Sequence, residues 1–136
     1  MLKSNPVHQS CAVPFRYIDN GVEIALITSR NTGRWIVPKG TVEANMTPQA
    51  SAAKEALEEA GLLGEPGTAA LGEYFYTKFE RIHRVEIFSL LVTRDLDDWD
   101  EKHFRSRVWL PSEEAEARIT ELAVQAAIRK LMTGAR

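Results

Sequence analysis

The sequence predicts an α+β or mixed α/β layered domain: strands, one helix in the middle of the chain, strands again and one helix at its end. Three observations carry this. β-rich runs occupy both halves of the chain, a well-capped helix separates them, and a second helical periodicity closes the sequence. At 136 residues the chain suits one domain with a single sizeable core. Residues 1–9 read as a flexible arm and residues 10–136 as the domain.

The elements follow in order. "SCAVPFRYIDNGVEIALITSR" holds two β-rich runs around Asn20-Gly21, a strong hairpin signal. Pro14 in the first run points to an edge position or a bulge. "RWIVP" is a short strand that stops at Pro38, and a loop then runs through Met46. Thr47 is placed to cap a helix and Pro48 suits its first position. Ala50, Ala53, Leu57 and Ala60 form an apolar stripe, and Gly61 is a natural stop. After a loop at "GEPGTAA", two long strands, "LGEYFYTKFE" and "HRVEIFSLLVTR", meet near Arg81. "DLDDWDEKHF" is an acidic loop and "SRVWLP" a last short strand. Ser112 is expected to cap "SEEAEA". A terminal helix sets Ile119, Leu122, Val124, Ala126, Ile128 and Leu131 mostly on one side.

Composition excludes some function classes. Hydrophobic residues at 44% and charged residues at 26% are ordinary for a globular domain. A net charge of −2 argues against a generic nucleic-acid or membrane-surface binder. No apolar run approaches the roughly 20 residues that a membrane span needs, and "MLKSNPVHQS" lacks the apolar stretch of a signal peptide. Cys11 is the only cysteine, so no intrachain disulfide forms and a reducing interior, the cytoplasm, is expected. Cys11 itself reads as a small buried hydrophobe. The macromolecular partner expected is at most a second copy of the chain.

The chemistry concentrates on the middle helix. Glu55, Glu58 and Glu59 stand at i, i+3 and i+4, so they share a face and repel one another. The core stripe lies largely elsewhere, which directs the acids out of the domain. Taken alone, such a heptad is an ordinary solvated face. Converging carboxylates, however, make a hard oxygen site suited to Mg²⁺ or Mn²⁺ and not to Zn²⁺, which prefers His and Cys. Gly40, on an upstream turn, lets bare backbone approach a ligand, and Gly61 closes the helix after the last acid.

From Gly40 to Leu62 the chain resembles the signature box of Nudix hydrolases, G-x5-E-x7-R-E-U-x-E-E-x-G-U with U aliphatic. Gly40, Glu55, Glu58, Glu59 and Gly61 stand in register, five of its seven fixed positions, with Ala56 and Leu62 at the aliphatic ones. Met46 stands where the pattern has Glu, and Lys54 where it has Arg. In the family those two residues mainly support the metal-binding acids. Lysine keeps the charge without the planar fork, and methionine keeps neither charge nor hydrogen bonding.

The resemblance implies an α/β/α sandwich with a box helix and a C-terminal helix. It implies hydrolysis of a pyrophosphate bond by water attack at phosphorus, with Mg²⁺ or Mn²⁺ as cofactor. Glu55, Glu58 and Glu59, with the Gly40 carbonyl, would then hold the metal. The general base would be Glu58, Glu59 or a loop acid, Glu101 first and Asp100 second. Basic residues flank the box, and Arg34, Lys39, Arg81 and Arg84 are the candidates for a phosphate-binding rim. His83 is a weaker candidate, and Trp99 is the tryptophan best placed to stack on a base, with Trp35 and Trp109 read as core. The wider arrangement is similar to the diphosphoinositol polyphosphate and diadenosine polyphosphate hydrolase branch, so a (di)nucleoside polyphosphate or a diphosphoinositol polyphosphate is the expected substrate. The alternatives are a housecleaning pyrophosphatase for nucleoside triphosphates or nucleotide sugars, and a catalytically weak nucleotide-binding module.

Overall fold

The computed structural model describes residues 5–134. The elements are β1 (Val7–Ile18), β2 (Gly21–Thr28), β3 (Trp35–Ile36), β4 (Lys39–Thr41), α1 (Pro48–Ala60), β5 (Leu62–Pro66), β6 (Gly72–Lys78) and β7 (Arg81–Asp95). A 3₁₀ turn (Lys102–Phe104), β8 (Arg107–Pro111), α2 (Ser112–Arg118) and α3 (Leu122–Met132) complete the chain. The expected arm at residues 1–9 is shortened, because β1 already pairs with β7 at Val7. Residues 1–4 of that arm, and 135–136 of the domain, lie outside the described residues.

The sheet runs β3-β2-β1-β7-β5, with β4 beside β1, β6 beside β7 and β8 beside β2. β1 and β7 are parallel and the other pairs antiparallel, so the sheet is mixed. Both faces are covered. Cys11, Val13 and Phe15 join the core that packs on α2 and α3, whereas Ala12 joins the core under α1. That period of two along a strand buried on both sides is the α/β/α sandwich. Cys11 sits in it as expected, fully buried, and burial pushes its thiol up to about 12. Among the described residues no helix is long and apolar enough to cross a membrane.

Five expectations change. Pro14 lies on a central strand, not at an edge. Ala12 donates to the Pro38 carbonyl on the side where β4 ends at Cys11 and β2 begins at Phe15, and Pro14 faces the same gap. Its missing N–H therefore costs no ladder bond. The first hairpin turns at Asp19-Asn20, because Ile18 already pairs with Gly21. β5 lies where the sequence suggests a loop. Gly64 and Pro66 disguise it, yet Gly64 is needed at a bulge where a Cβ would lie 2.3 Å from the Leu91 carbonyl oxygen. Ser112 is the first residue of α2 and caps nothing through its side chain. The chain then breaks at the β-branched pair Ile119-Thr120, and Glu121 caps α3 through the Ala123 N–H. In α3, Ala127 takes the buried place expected of Ala126, and Leu122 is 74% exposed.

The stripe of α1 is also rotated. Ala52, Ala56 and Ala60 are buried, together with Ser51 and Glu59, while Ala50 is exposed. Alanines vote weakly in a periodicity count. What fixes the rotation is polar: Ser51 Oγ donates to the Thr41 carbonyl at 3.3 Å, and Glu59 finds partners inside. The alanines meet Ala12 and Ala25 of the sheet. Small residues on both sides let the helix lie close against β4 and β1.

That close approach predicts the effect of a larger side chain. Ala56→Leu is expected to destabilise the fold by about 1–3 kcal/mol through overpacking, read as a lower midpoint in thermal or urea unfolding. An unchanged midpoint would mean that the helix has room to spare.

Candidate active site

The helix that carries the acids is fixed at both ends. Thr47 Oγ1 accepts from the Ala50 N–H at 3.0 Å, and Pro48 opens the first turn. Gly61 ends the helix in the left-handed region at φ 67°, where glycine is at home. The last carbonyls do not go to waste. Glu58 O accepts from Glu101 N at 3.1 Å, and Glu59 O from Trp99 Nε1 at 3.0 Å. Ala60 O accepts from Arg107 at 2.7 Å, and Gly61 O from Leu96 N at 2.9 Å. These are the acceptors that a helix end leaves unsatisfied, and they stitch the acidic loop against the box helix. Trp99 is consequently a structural residue, packed on Gly61 and covered by Arg107, and not a free platform for a base.

Gly40 lies in β4 and not on a turn. Its lack of a side chain serves a contact: a Cβ there would fall 2.3 Å from Cδ of Glu55. Glu55 and Glu59 are in hydrogen-bonding contact with each other. Glu59, expected to point outward, is 8% exposed. Its Oε1 accepts from the Lys39 N–H at 3.2 Å and lies 3.8 Å from Arg105. Burial raises the Glu59 carboxyl to about 8, against the opposing pull of Arg105 and the Lys39 amide, with Glu55 adding to the rise. Glu55 is raised too, first by burial, with the Glu58 charge adding to it. Two carboxyl groups this close favour one shared proton or one bound cation.

Arg105 is the residue that sequence reasoning undervalued. It is nearly buried and spans Glu59, Glu101 at 2.9 Å and the Thr28 carbonyl at 2.9 Å. Glu101 is thus drawn to the site but held by a guanidinium, while Asp100 is exposed. At the outer edge Lys54 lies 3.2 Å from Glu58 and 3.0 Å from Glu43. Its ammonium is held above the usual lysine range by hydrogen bonds to Glu43 first and Glu58 second. Met46 is half-buried at the end of the turn that Glu43 opens.

Among the described residues, no three His, Cys, Asp or Glu side chains are already placed to hold a metal ion together. Glu58 is engaged by Lys54 and Glu101 by Arg105. The donor chemistry nevertheless fits a hard divalent cation. Glu55 and Glu59 supply adjoining carboxylate oxygens beside bare Gly40 backbone, and Glu58 stands three residues on from Glu55, its charge felt by that carboxyl.

Beside the acids lies a cavity of about 450 Å³. Arg34, Lys39 and Lys78 supply positive charge to it, Trp35, Tyr74 and Tyr76 aromatic surface, and Glu121 one acid. Lys39 belongs to both regions. Its backbone holds Glu59, while its Nζ donates to Tyr76 Oη at 3.3 Å and sits over that ring. The two tyrosines face the cavity because β6 alternates; Phe75 between them points away and is 56% exposed. Trp35, expected in the core, lines the cavity while packing against the core.

The expected basic rim is divided. Arg34 and Lys39 line the cavity, but Arg81 and Arg84 do not. Arg81 donates to the Asn5 carbonyl at the hairpin end. Arg84 pairs in register with Phe75, so it lies on the opposite face of the sheet, between Glu73 and Glu86. His83 stacks on Tyr76 at 4.7 Å and is not among the lining residues. Lys78, two residues beyond Tyr76, supplies the third cavity cation. Lys78 belongs to the basic residues that flank the box, and alternation from Tyr74 is the signal that sets it apart from Arg84.

Fold and site together define an α/β/α sandwich whose acidic helix stands beside a basic, aromatic-lined cavity. A family model described as the NUDIX domain matches residues 12–132. The chain belongs to the Nudix hydrolase family, whose members generally use a divalent metal. Diphosphoinositol polyphosphate phosphohydrolase 3-alpha of Mus musculus is 40% identical over 96 residues, covering 68% of this chain and 57% of that protein. Nudix hydrolase 21, chloroplastic, of Arabidopsis thaliana is 34% identical over 109 residues, 76% of this chain and 54% of that protein. The chain thus spans little more than half the length of these curated relatives. Among solved structures, C. elegans Ap4A hydrolase superposes with a TM-score of 0.76 at 19% identity, covering 97% of this chain and 100% of that one. This last likeness is one of fold.

The buried carboxyl yields a pH-dependent prediction. In the unfolded chain Glu59 ionises near the ordinary 4.5 and in the metal-free fold near 8, so between them the folded chain holds a proton that the unfolded chain releases. Stability therefore falls as pH rises through that window. Glu59→Gln removes the titration while keeping an oxygen for the Lys39 amide. In thermal melts with a chelator, the variant's midpoint relative to wild type should be higher at pH 8 than at pH 5. An equal difference at both pH values would show that Glu59 titrates normally.

Proposed function

We propose that this chain hydrolyses a pyrophosphate linkage in a nucleoside or dinucleoside polyphosphate by water attack at phosphorus, with Mg²⁺ or Mn²⁺ as cofactor. The observation that carries the reading is Lys39, which joins the buried acid pair to a cavity holding both cations and aromatic rings. Glu55, Glu58 and Glu59 hold the ion, with the Gly40 carbonyl beside them. The bound ion supplies charge screening for the bridging phosphates and activation of water. Lys39, Arg34 and Lys78 receive phosphate oxygens, and Trp35, Tyr74 and Tyr76 offer stacking surface to a base.

Glu58 or Glu59 serves as general base. Glu101 would first have to leave Arg105, so we assign it the positioning of Arg105 against Glu59. A reducing compartment such as the cytoplasm suits the lone buried thiol of Cys11.

A second reading, a diphosphoinositol polyphosphate, is favoured by the identity to the mouse phosphohydrolase. Against it, three cations and one acid line the cavity, few for a ring bearing a phosphate at nearly every carbon.

Product analysis decides between them: two nucleotides form from a dinucleoside tetraphosphate, a nucleotide and a sugar phosphate from a nucleotide sugar, and orthophosphate from a diphosphoinositol polyphosphate. The comparison is kcat/KM on a dinucleoside tetraphosphate, a diphosphoinositol polyphosphate and a nucleotide sugar, with Mg²⁺ and with Mn²⁺. Wild type should prefer the dinucleoside tetraphosphate. Lys39→Ala should lose roughly tenfold to a hundredfold on it, the worth of a charge-assisted contact. Arg84→Ala, on the far face, should behave as wild type, and Glu58→Gln or Glu59→Gln should lose at least about a hundredfold in turnover. A preference for the diphosphoinositol substrate would establish the second reading. Hydrolysis of none of the substrates would leave a nucleotide-binding module.

A further inference from the structure

Position 46 holds methionine where the box pattern has an acid, yet Lys54 does not lack a carboxylate. Glu43 supplies one at 3.0 Å, three residues earlier in the chain. The turn that carries Glu43 is held at both ends. Val42 N–H donates to the His8 carbonyl at 2.9 Å, Met46 N–H closes back on Glu43 O at 3.1 Å, and Thr47 begins the helix cap. Asn45 takes the left-handed conformation at φ 74° that lets the chain turn, a conformation that asparagine tolerates better than most residues.

We propose that Glu43 is a positioning residue for the acid cluster: it draws the Lys54 ammonium to the rim of the site, so that Lys54 orients Glu58 without neutralising the oxygens that receive the cation. The inference rests on Glu55, Glu58 and Glu59 being the cation site.

The geometry supports a shared ammonium. Lys54 Nζ donates to Glu43 Oε1 and to Glu58 Oε1, and it stands only 4.0 Å from Glu55 Oε2. An ammonium has three donors on a flexible stem. Without Glu43, its nearest carboxylates are Glu58 and Glu55. It then settles on those two and competes with the incoming ion for the same oxygens. Glu43 acts by offering the ammonium a place outside the site, and the half-buried methionine at 46 is tolerated because that place is already provided.

The test is calorimetric titration of the metal-free chain with MgCl₂ and MnCl₂, on wild type, Glu43→Gln, Lys54→Met and the double variant. Circular dichroism melts confirm that each is folded. Glu43→Gln is expected to weaken ion binding about three- to fivefold, the upper end for an exposed ion pair. In the Lys54→Met background the same substitution should change the dissociation constant by less than about 1.5-fold, since its effect passes through Lys54. An equal loss in both backgrounds would mean that Glu43 contributes only its distant negative charge, and the proposal fails. Unchanged binding by the single Glu43→Gln variant also overturns it while leaving the cation site standing. A wild-type chain that binds neither ion overturns the cation-site reading and this inference with it.

Discussion

One buried carboxyl group, Glu59, ties the box helix to the sheet, and the site is arranged around it. Burying an acid is costly unless its oxygens find partners. Glu59 finds the Lys39 N–H on β4, the Arg105 guanidinium after the acidic loop, and its neighbour Glu55. Each partner comes from a different part of the chain. The position of α1 over the sheet and the course of the loop past residue 96 are therefore set by the same carboxyl group that the proposed function places at the cation site. An apolar residue in its place could pack as well but would specify none of these positions.

Packing and chemistry use the same surface of α1. The alanines that face Ala12 and Ala25 let the helix approach the sheet, and that approach sets Glu55 against Gly40. A larger aliphatic residue at position 56 would lift the helix and open the acid pair. The helix end contributes as much. Its last carbonyls are satisfied by Glu101 N, Trp99, Arg107 and Leu96 N, so the loop bearing Glu101 and leading to Arg105 is docked through bonds to the main-chain carbonyls of the helix end. Arg107 also brings positive charge to the negative end of the helix dipole.

What the sequence made legible was local. Thr47, Pro48 and Gly61 mark the helix by backbone chemistry confined to a few residues, and the i, i+3, i+4 spacing puts the acids together wherever the helix sits. What it hid depended on partners far along the chain. Gly40 reads as a turn glycine, but its reason is the Glu55 carboxylate fifteen positions on. Arg84 and Lys78 look equally suited to a rim, and only the β6–β7 register sends one to the far face and the other to the cavity. Trp99 looks exposed among aspartates until the helix end beneath it is known. Glu59 reads as outward-facing because a count of apolar residues cannot register an acid whose partners are a strand amide and an arginine nearly fifty residues away.

Lys39 shows how the two halves of the site can act as one. Its main chain holds the acid pair from below, and its side chain reaches the aromatic wall of the cavity through Tyr76, which in turn donates to Gln9 on β1 at 2.6 Å. β4 is only three residues long and is held to β1 by residues Gln9 to Cys11. A group that pulls on the Lys39 ammonium from the cavity therefore acts on the same short strand that presents the amide to Glu59 and the bare backbone of Gly40 to Glu55. Arg34 and Lys78 have no such link to the acids in their hydrogen bonds. Under the proposed function, the phosphate nearest Lys39 would thus be the one whose binding is coupled to the placement of the acids.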